Sequence, residues 1–102
     1  MSVQSPIYLY GSFYVEDFSA FKTEYQSGVI PTLQAAGAEV LVATGDPKVV
    51  EGSYDNNWTV IIKFPSQSAY DDWYASDAYA PLIDIRQKLT AETSTMLLLP
   101  AL

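Results

Sequence analysis

The hydrophobic pattern of this chain alternates between a period of two and a period near four, which predicts strands and helices in turn. Residues 7–15 (IYLYGSFYV) are β-prone, with tyrosines at three of the four even positions and mostly apolar side chains at the odd ones. Both faces of this strand therefore look covered. Residues 39–44 (EVLVAT), 58–64 (WTVIIKF) and 93–99 (TSTMLLL) predict further strands, and residues 48–51 predict a short additional one.

The segment after the first strand has helical spacing. Asp17 is a candidate N-cap, and Gly37 is a candidate C-terminal stop. Pro31 lacks a backbone donor and crowds the carbonyl of Ser27, so we expect a kink or a restart near it. The apolar stripe consists of Phe18, Phe21, Tyr25, Val29 and Leu33.

The second helical segment follows the fourth predicted strand. Ser66 is placed to cap a helix that runs to Tyr74. Ser76 or Asp77 then caps another helix, with Pro81 in its first turn, where helices tolerate proline. This last helix carries the single arginine of the chain, at position 86.

The order of these elements is β-α-β-β-α-β with one extra short strand. It predicts an α+β, ferredoxin-like fold in which an antiparallel sheet carries its helices on one face. The 102 residues predict a single domain spanning 1–102. The other sheet face needs a partner, and a second copy is the simplest one, so we expect a homodimer through the sheet face.

The amino-acid composition limits which ligands and partner molecules the protein is expected to bind. The net charge is −7, and the five basic residues are scattered, which disfavours nucleic acid and anionic membranes. The chain has no cysteine and no histidine, so we predict no metal site and no cofactor. It shows no signal peptide and no apolar stretch long enough to span a bilayer, and a cytoplasmic location is expected.

The candidate ligand-binding residues each have a structural alternative. Arg86 suits a carboxylate anchor, or else a structural salt bridge with Glu51 or Asp17. Glu51 follows two valines at the predicted sheet rim, where a partly desolvated carboxylate can act as a base, or it pairs with the arginine. The ligand-binding set predicted from the sequence is Arg86, Tyr25, Glu51, Trp58 and Tyr10.

The aromatic candidates are open to two interpretations as well. Tyr25 and Tyr10 suit the lining of a cavity for an oxygen-bearing aromatic ligand, or ordinary core and interface packing. Trp58 begins a strand and suits stacking on a flat ligand. Asn56 and Asn57 beside it suit polarisation of a carbonyl, or simply a turn.

Several short motifs of the chain together are typical of one family. They are Phe64-Pro65-Ser66, Trp73-Tyr74, Ser76, Tyr79 and Arg86, with Asp17-Phe18, Pro31, Gly37 and Val50-Glu51-Gly52 upstream. Through these motifs the chain resembles the domain-of-unknown-function family 1330 of the dimeric α/β-barrel superfamily over residues 8–98. The resemblance implies a fold shared with small monooxygenases, muconolactone isomerases and haem-degrading enzymes, with two sheets packed face to face in a dimer and a pocket between sheet and helices.

The chain departs from this family at two polar positions. Members often have a histidine where this chain has Ala36, and many have an arginine where it has Trp58. The family resemblance therefore supplies no catalytic residue, and haem degradation lacks its proximal histidine. Two classes of function remain open: a dimeric module that binds a small organic acid or aromatic metabolite near Arg86, and a cofactor-independent enzyme, monooxygenase- or isomerase-like, acting on a small aromatic or lactone substrate.

Overall fold

A computed structural model describes residues 5–102 and contains one four-stranded antiparallel sheet. The strand order is β2-β3-β1-β4, with both β3 and β4 antiparallel to the central β1. This is the ferredoxin-like arrangement predicted from the sequence, and it confirms the α+β fold class. The strands are β1 (Ile7–Phe13), β2 (Glu39–Thr44), β3 (Trp58–Phe64) and β4 (Thr95–Pro100).

Two helical segments cover one face of the sheet. The first runs without a break from α1 (Phe18–Ala20) through a π-helical turn (Phe21–Gln26) into α2 (Ser27–Ala35). The second comprises α3 (Gln67–Tyr74) and α4 (Ala80–Leu89). No helix within residues 5–102 has the length and apolarity needed to cross a membrane.

The predicted capping residues lie where the helices begin and end. Asp17 accepts a hydrogen bond from the Ala20 amide at 3.0 Å, and Ser66 accepts one from the Ala69 amide at 3.1 Å. Gly37 follows α2 with a φ of +74°, a left-handed conformation that glycine adopts without a steric penalty. Sequence signals of this kind are local, and for that reason they locate these helix ends well.

The predicted strand at residues 48–51 is wrong. These residues lie in the loop that joins β2 to β3. Their valines suit a strand by side-chain type, but β2 and β4 occupy the edges of the sheet and residues 48–51 pair with neither. Val50 is 86 % exposed, so the loop leaves an apolar side chain in solvent.

The expected interruption at Pro31 takes a different form. Pro31 lies inside α2, and the helix continues through it. The irregularity lies one turn earlier, where the Ser27 amide donates to the carbonyl of Lys22, five residues back. A hydrogen bond over five residues defines a π-turn, which inserts one extra residue into the helix.

The helix beginning predicted at Ser76 or Asp77 starts later. Ser76 Oγ accepts a hydrogen bond from the Tyr79 amide at 3.2 Å, so Ser76 caps a turn and the regular helix α4 begins at Ala80. Pro81 stands in the first turn of α4, as predicted. The last strand is also displaced, from the predicted 93–99 to Thr95–Pro100.

The two faces of the sheet differ in what covers them. The core lies between the helices and the odd-numbered residues of β1, and its most buried members include Phe21, Phe64 and Tyr79. No helix or strand among residues 5–102 covers the opposite face, here called the open face, although Tyr54 and Asn56 of the β2–β3 loop hydrogen-bond to the buried Thr59 and Ser12 at one end of it. By the strand register it carries Tyr8, Tyr10, Ser12, Glu39, Val42, Thr44, Thr59, Ile61, Lys63, Thr95, Leu97 and Leu99.

Candidate functional site

A cavity of about 290 Å³ lies between the sheet and the helical segment 18–35, and it is here called the sheet–helix cavity. Its wall is almost entirely aliphatic and aromatic, which is the composition of small-molecule pockets. No charged side chain belongs to the wall within the described part of the chain. The wall consists of Leu9, Gly11, Phe13, Phe21, Tyr25, Gln26, Val29, Ile30, Leu33, Val40, Ala43, Trp58, Val60, Ile62, Trp73 and Met96.

The exposure of these residues locates the mouth of the cavity. Phe21 and Trp73 are buried and form part of its inner wall. Ile30 and Val40 are about half exposed, at 49 % and 47 %, and Ala43 is exposed as well. The cavity therefore opens between helix α2 and the edge strand β2.

Gly11 leaves room for the cavity on the central strand. A Cβ atom at this position would lie 2.8 Å from the Phe13 ring and 3.1 Å from Val60. Both neighbours also line the cavity. A larger residue at position 11 would displace these side chains.

Trp58 lines the sheet–helix cavity. Its ring meets the ring of Phe18 edge to face, with the ring centroids 5.8 Å apart. Phe18 is 42 % exposed, so this aromatic pair reaches the surface. Aromatic pairs of this geometry hold their rings in a preferred orientation.

Tyr25 also lines the cavity, but its hydroxyl has a partner inside the protein. The Tyr25 and Tyr79 hydroxyl oxygens are 2.9 Å apart and share a hydrogen bond. Burial, with a smaller contribution from Tyr79, raises the pKa of Tyr25 well above its ordinary value. Tyr25 is therefore a neutral phenol at physiological pH and cannot serve as a base.

Arg86 lies behind the cavity wall. It is 5 % exposed, and its guanidinium carbon lies 5.7 Å from the centroid of the Phe13 ring, a cation–π geometry. Its Nε is buried without a hydrogen-bond partner among residues 5–102. Arg86 instead borders a second, more open depression, formed with Gln87, Thr90, Ala91, Glu92 and Ser94.

The other two predicted ligand-binding residues lie outside the sheet–helix cavity. Tyr10 belongs to the open face, where it is opposite Ile61 and Leu97 in the neighbouring strands. Glu51 lies exposed in the loop between β2 and β3. The structure thus brings together Tyr25 and Trp58, places Arg86 behind Phe13, and separates Tyr10 and Glu51 from all three.

Asn56 and Asn57 hold strand ends together. Asn57 accepts a hydrogen bond from the Val15 amide and donates one to the Val15 carbonyl, each at 2.7 Å. Asn56 donates to Ser12 Oγ at 2.8 Å and accepts from Thr93 Oγ1 at 2.9 Å. These bonds join the ends of β1, β3 and β4, so both carboxamides have structural partners.

Two polar features of the cavity escaped the sequence analysis. Gln26 is polar and lies outside the apolar stripe of the predicted helix, so the hydrophobic spacing gives no signal for it. Trp73 is buried in the core and also borders the cavity, and its indole Nε1 donates to Thr32 Oγ1 at 2.9 Å. In residues 5–102 no group of three His, Cys, Asp or Glu side chains is placed to hold a metal ion.

A family model matches nearly the whole of this chain. Residues 6–100 match the model of the family described as a domain of unknown function, DUF1330. The chain belongs to that family, which confirms the resemblance inferred from its motifs. A comparison with curated proteins finds no match.

Solved structures share the fold at low sequence identity. A protein of unknown function from Rhodopseudomonas palustris, RPA0582, superposes with a TM-score of 0.79 at 19 % identity, covering 97 % of this chain and 84 % of its own. SnoaB, a cofactor-independent oxygenase from Streptomyces nogalater, gives 0.62 at 17 % identity, covering 96 % and 94 %. A Dabb family protein with a ferredoxin-like fold from Mesorhizobium loti gives 0.59 at 14 % identity, covering 97 % and 99 %.

Proposed function

We propose that this protein binds a small, uncharged aromatic metabolite in the sheet–helix cavity. The observation that carries the proposal is an apolar cavity of about 290 Å³ that reaches the surface between α2 and β2. An apolar cavity of about 150 Å³ takes one benzene ring, so this one suits a molecule of two fused rings. Trp58 and Trp73 supply flat indole surfaces along the wall.

The chemistry of the wall favours an aromatic metabolite over an organic acid. A carboxylate that leaves water needs a cation or several donors in return. The cavity wall contains no charged side chain among the described residues, and Arg86, whose guanidinium lies over the Phe13 ring, is not among the residues that line it. The wall therefore offers a carboxylate no cation in direct contact.

Binding is measured by isothermal titration calorimetry with naphthalene, indole and 1-naphthoate. We expect naphthalene and indole to bind the wild type. Ala43→Phe places a ring in the mouth of the cavity and should weaken the affinity for both probes by at least about tenfold, which corresponds to roughly 1.4 kcal/mol. Ala35→Phe is the matched control, since Ala35 is exposed on α2 and does not line the cavity. Absence of binding, or equal binding by both variants, would contradict the proposal.

Arg86→Met distinguishes the two ligand classes. The variant keeps much of the arginine's apolar volume and removes its charge. We expect the affinity of this variant for naphthalene to stay within about twofold of the wild-type value, because the Arg86 guanidinium is not part of the cavity wall. If 1-naphthoate instead binds more tightly than naphthalene and loses that advantage in Arg86→Met, the ligand is an organic acid anchored at Arg86.

The second candidate function is a cofactor-independent oxygenase. It is favoured by the combination of the fold shared with SnoaB and an apolar, largely aromatic cavity in this chain. Fold likeness alone is a weak argument for activity. The test is oxygen consumption by the protein with a bound aromatic probe, followed by mass spectrometry for a product that has gained oxygen; an unchanged probe and unchanged oxygen favour the binding function.

We further propose that a second copy of the chain covers the open face. Leu97 and Leu99 on this face are 48 % and 41 % exposed, and Val42 is 38 % exposed. They flank Tyr10 and Ile61, which gives one contiguous apolar surface across four strands. Soluble monomers rarely expose so continuous an apolar patch, and a sheet face is self-complementary about a twofold axis.

A further inference from the structure

The polar side chains of the sheet–helix cavity differ in whether they have internal partners. The Tyr25 hydroxyl is paired with Tyr79, and the Trp73 indole donates to Thr32. Gln26 makes no side-chain capping bond to α2, and its carboxamide has no hydrogen-bond partner in the described portion of the chain. The Trp58 indole can only donate, so Gln26 supplies the one side-chain acceptor of the described cavity wall that makes no internal hydrogen bond, its carboxamide oxygen.

Gln26 borders the cavity as part of a continuous helical wall. Phe21, Tyr25 and Gln26 of the π-helical turn and Val29 and Ile30 of α2 all line it. Apart from the paired Tyr25 hydroxyl, Gln26 is the polar side chain that this helical segment contributes to the wall.

We propose that Gln26 selects among ring ligands by accepting a hydrogen bond from a ring hydroxyl, so that the preferred ligand class is a neutral, hydroxylated two-ring aromatic. This inference rests on the proposed binding function of the cavity. When a plain hydrocarbon binds, an unpaired acceptor in an apolar wall loses its hydrogen bond to water and forms no other bond in its place. A hydroxylated ring restores that bond, whereas its anion would meet no cation in the wall.

The experiment compares naphthalene with 1-naphthol by calorimetry at a pH where the naphthol is neutral. The proteins are the wild type, Gln26→Leu and Gln34→Leu, the last as a control because Gln34 is exposed on α2 and absent from the cavity wall. The quantity measured is the preference, the Kd for naphthalene divided by the Kd for 1-naphthol. We expect Gln26→Leu to reduce it by about three- to tenfold, the effect of one neutral hydrogen bond, and Gln34→Leu to leave it unchanged.

The outcomes separate this inference from the binding function beneath it. If both probes bind and Gln26→Leu leaves the preference unchanged, the role of Gln26 is overturned while the binding function stands. If neither probe binds the wild type, the binding function is overturned and the inference with it. Gln26→Met repeats the measurement with an unbranched side chain, and circular dichroism verifies that each variant is folded, so a packing defect cannot imitate the expected result.

Discussion

The hydroxyl oxygens of Tyr25 and Tyr79 share a hydrogen bond of 2.9 Å across the core. Tyr25 belongs to the π-helical turn, and Tyr79 precedes α4, so the bond joins the two helical segments above the sheet. Tyr79 is fully buried, and its ring lies 4.0 Å from that of Trp73, centroid to centroid. The cavity wall is therefore anchored from behind by a polar contact within an aromatic cluster.

Removing the Tyr79 hydroxyl should destabilise the protein. In Tyr79→Phe the Tyr25 hydroxyl stays buried without its partner, at an expected loss of about 1–3 kcal/mol of unfolding free energy. The double variant Tyr25→Phe/Tyr79→Phe removes both groups, so its loss should be smaller than the sum of the single losses. Urea denaturation measures all three, and strictly additive losses would show that the bond contributes no coupling.

Alkaline pH should destabilise the fold through Tyr25. Burial raises the pKa of Tyr25 in the folded state, whereas in the unfolded chain it titrates near its ordinary value of about 10. The unfolded state then binds fewer protons than the folded state above that pH, so the unfolding free energy is constant below it and falls as pH rises, by up to about 1.4 kcal/mol per pH unit. The test is urea denaturation at pH values from about 8 to about 11, which bracket that ordinary value. The unfolding free energy of Tyr25→Phe should fall less steeply with pH than that of the wild type. An identical fall in both proteins would assign the effect to other groups.

Asn57 should contribute more to stability than a turn residue does. Asn57→Ala leaves both the amide and the carbonyl of Val15 without partners, and we expect a loss of about 2 kcal/mol. Asn57→Asp keeps an acceptor for the amide and should lose less. Hydrogen exchange at Val15 reports the same contact directly, and unchanged protection of that amide in Asn57→Ala would refute the structural role.

The dimer is tested at the open face. Leu97→Asp places a charge at a half-exposed position opposite Tyr10, and a charge that is buried without a partner opposes association. Sedimentation at micromolar concentration should give a dimer for the wild type and a monomer for this variant. Ile30→Asp is the control, because Ile30 is equally exposed but lies on the helical face; a monomeric wild type would rule out the proposed assembly.

The local signals of the sequence account for most of the fold. Alternation in residues 58–64 predicts β3 with its observed bounds, and the polar residues Asp17 and Ser66 predict the two helix starts, since a cap satisfies backbone donors within a few residues. The prediction of a strand at residues 48–51 is wrong even though β2 and β4 each leave one edge unpaired. Side-chain type carries no information about whether a segment reaches such an edge.

The candidate site could be predicted only in part. Tyr25 and Trp58 lie on stripes that the spacing makes apolar, and both line the cavity. The period of two separates Tyr10 from the odd-numbered residues of β1 but does not say which face the helices cover. The position of Arg86 behind Phe13, and the exposure of Glu51, follow from how distant segments meet.

The sequence by itself determined the order of the main strands and helices and the antiparallel ferredoxin-like fold, because these depend on periodicity and on caps that act within a few residues. The family followed from the motifs through which the chain resembles it. Only the tertiary structure decided the site. The Tyr25–Tyr79 bond joins residues 54 positions apart, and the π-helical turn Phe21–Gln26 departs from the α-helical spacing on which a sequence prediction depends. Contacts between distant segments and departures from regular geometry leave no local signal in the order of the residues.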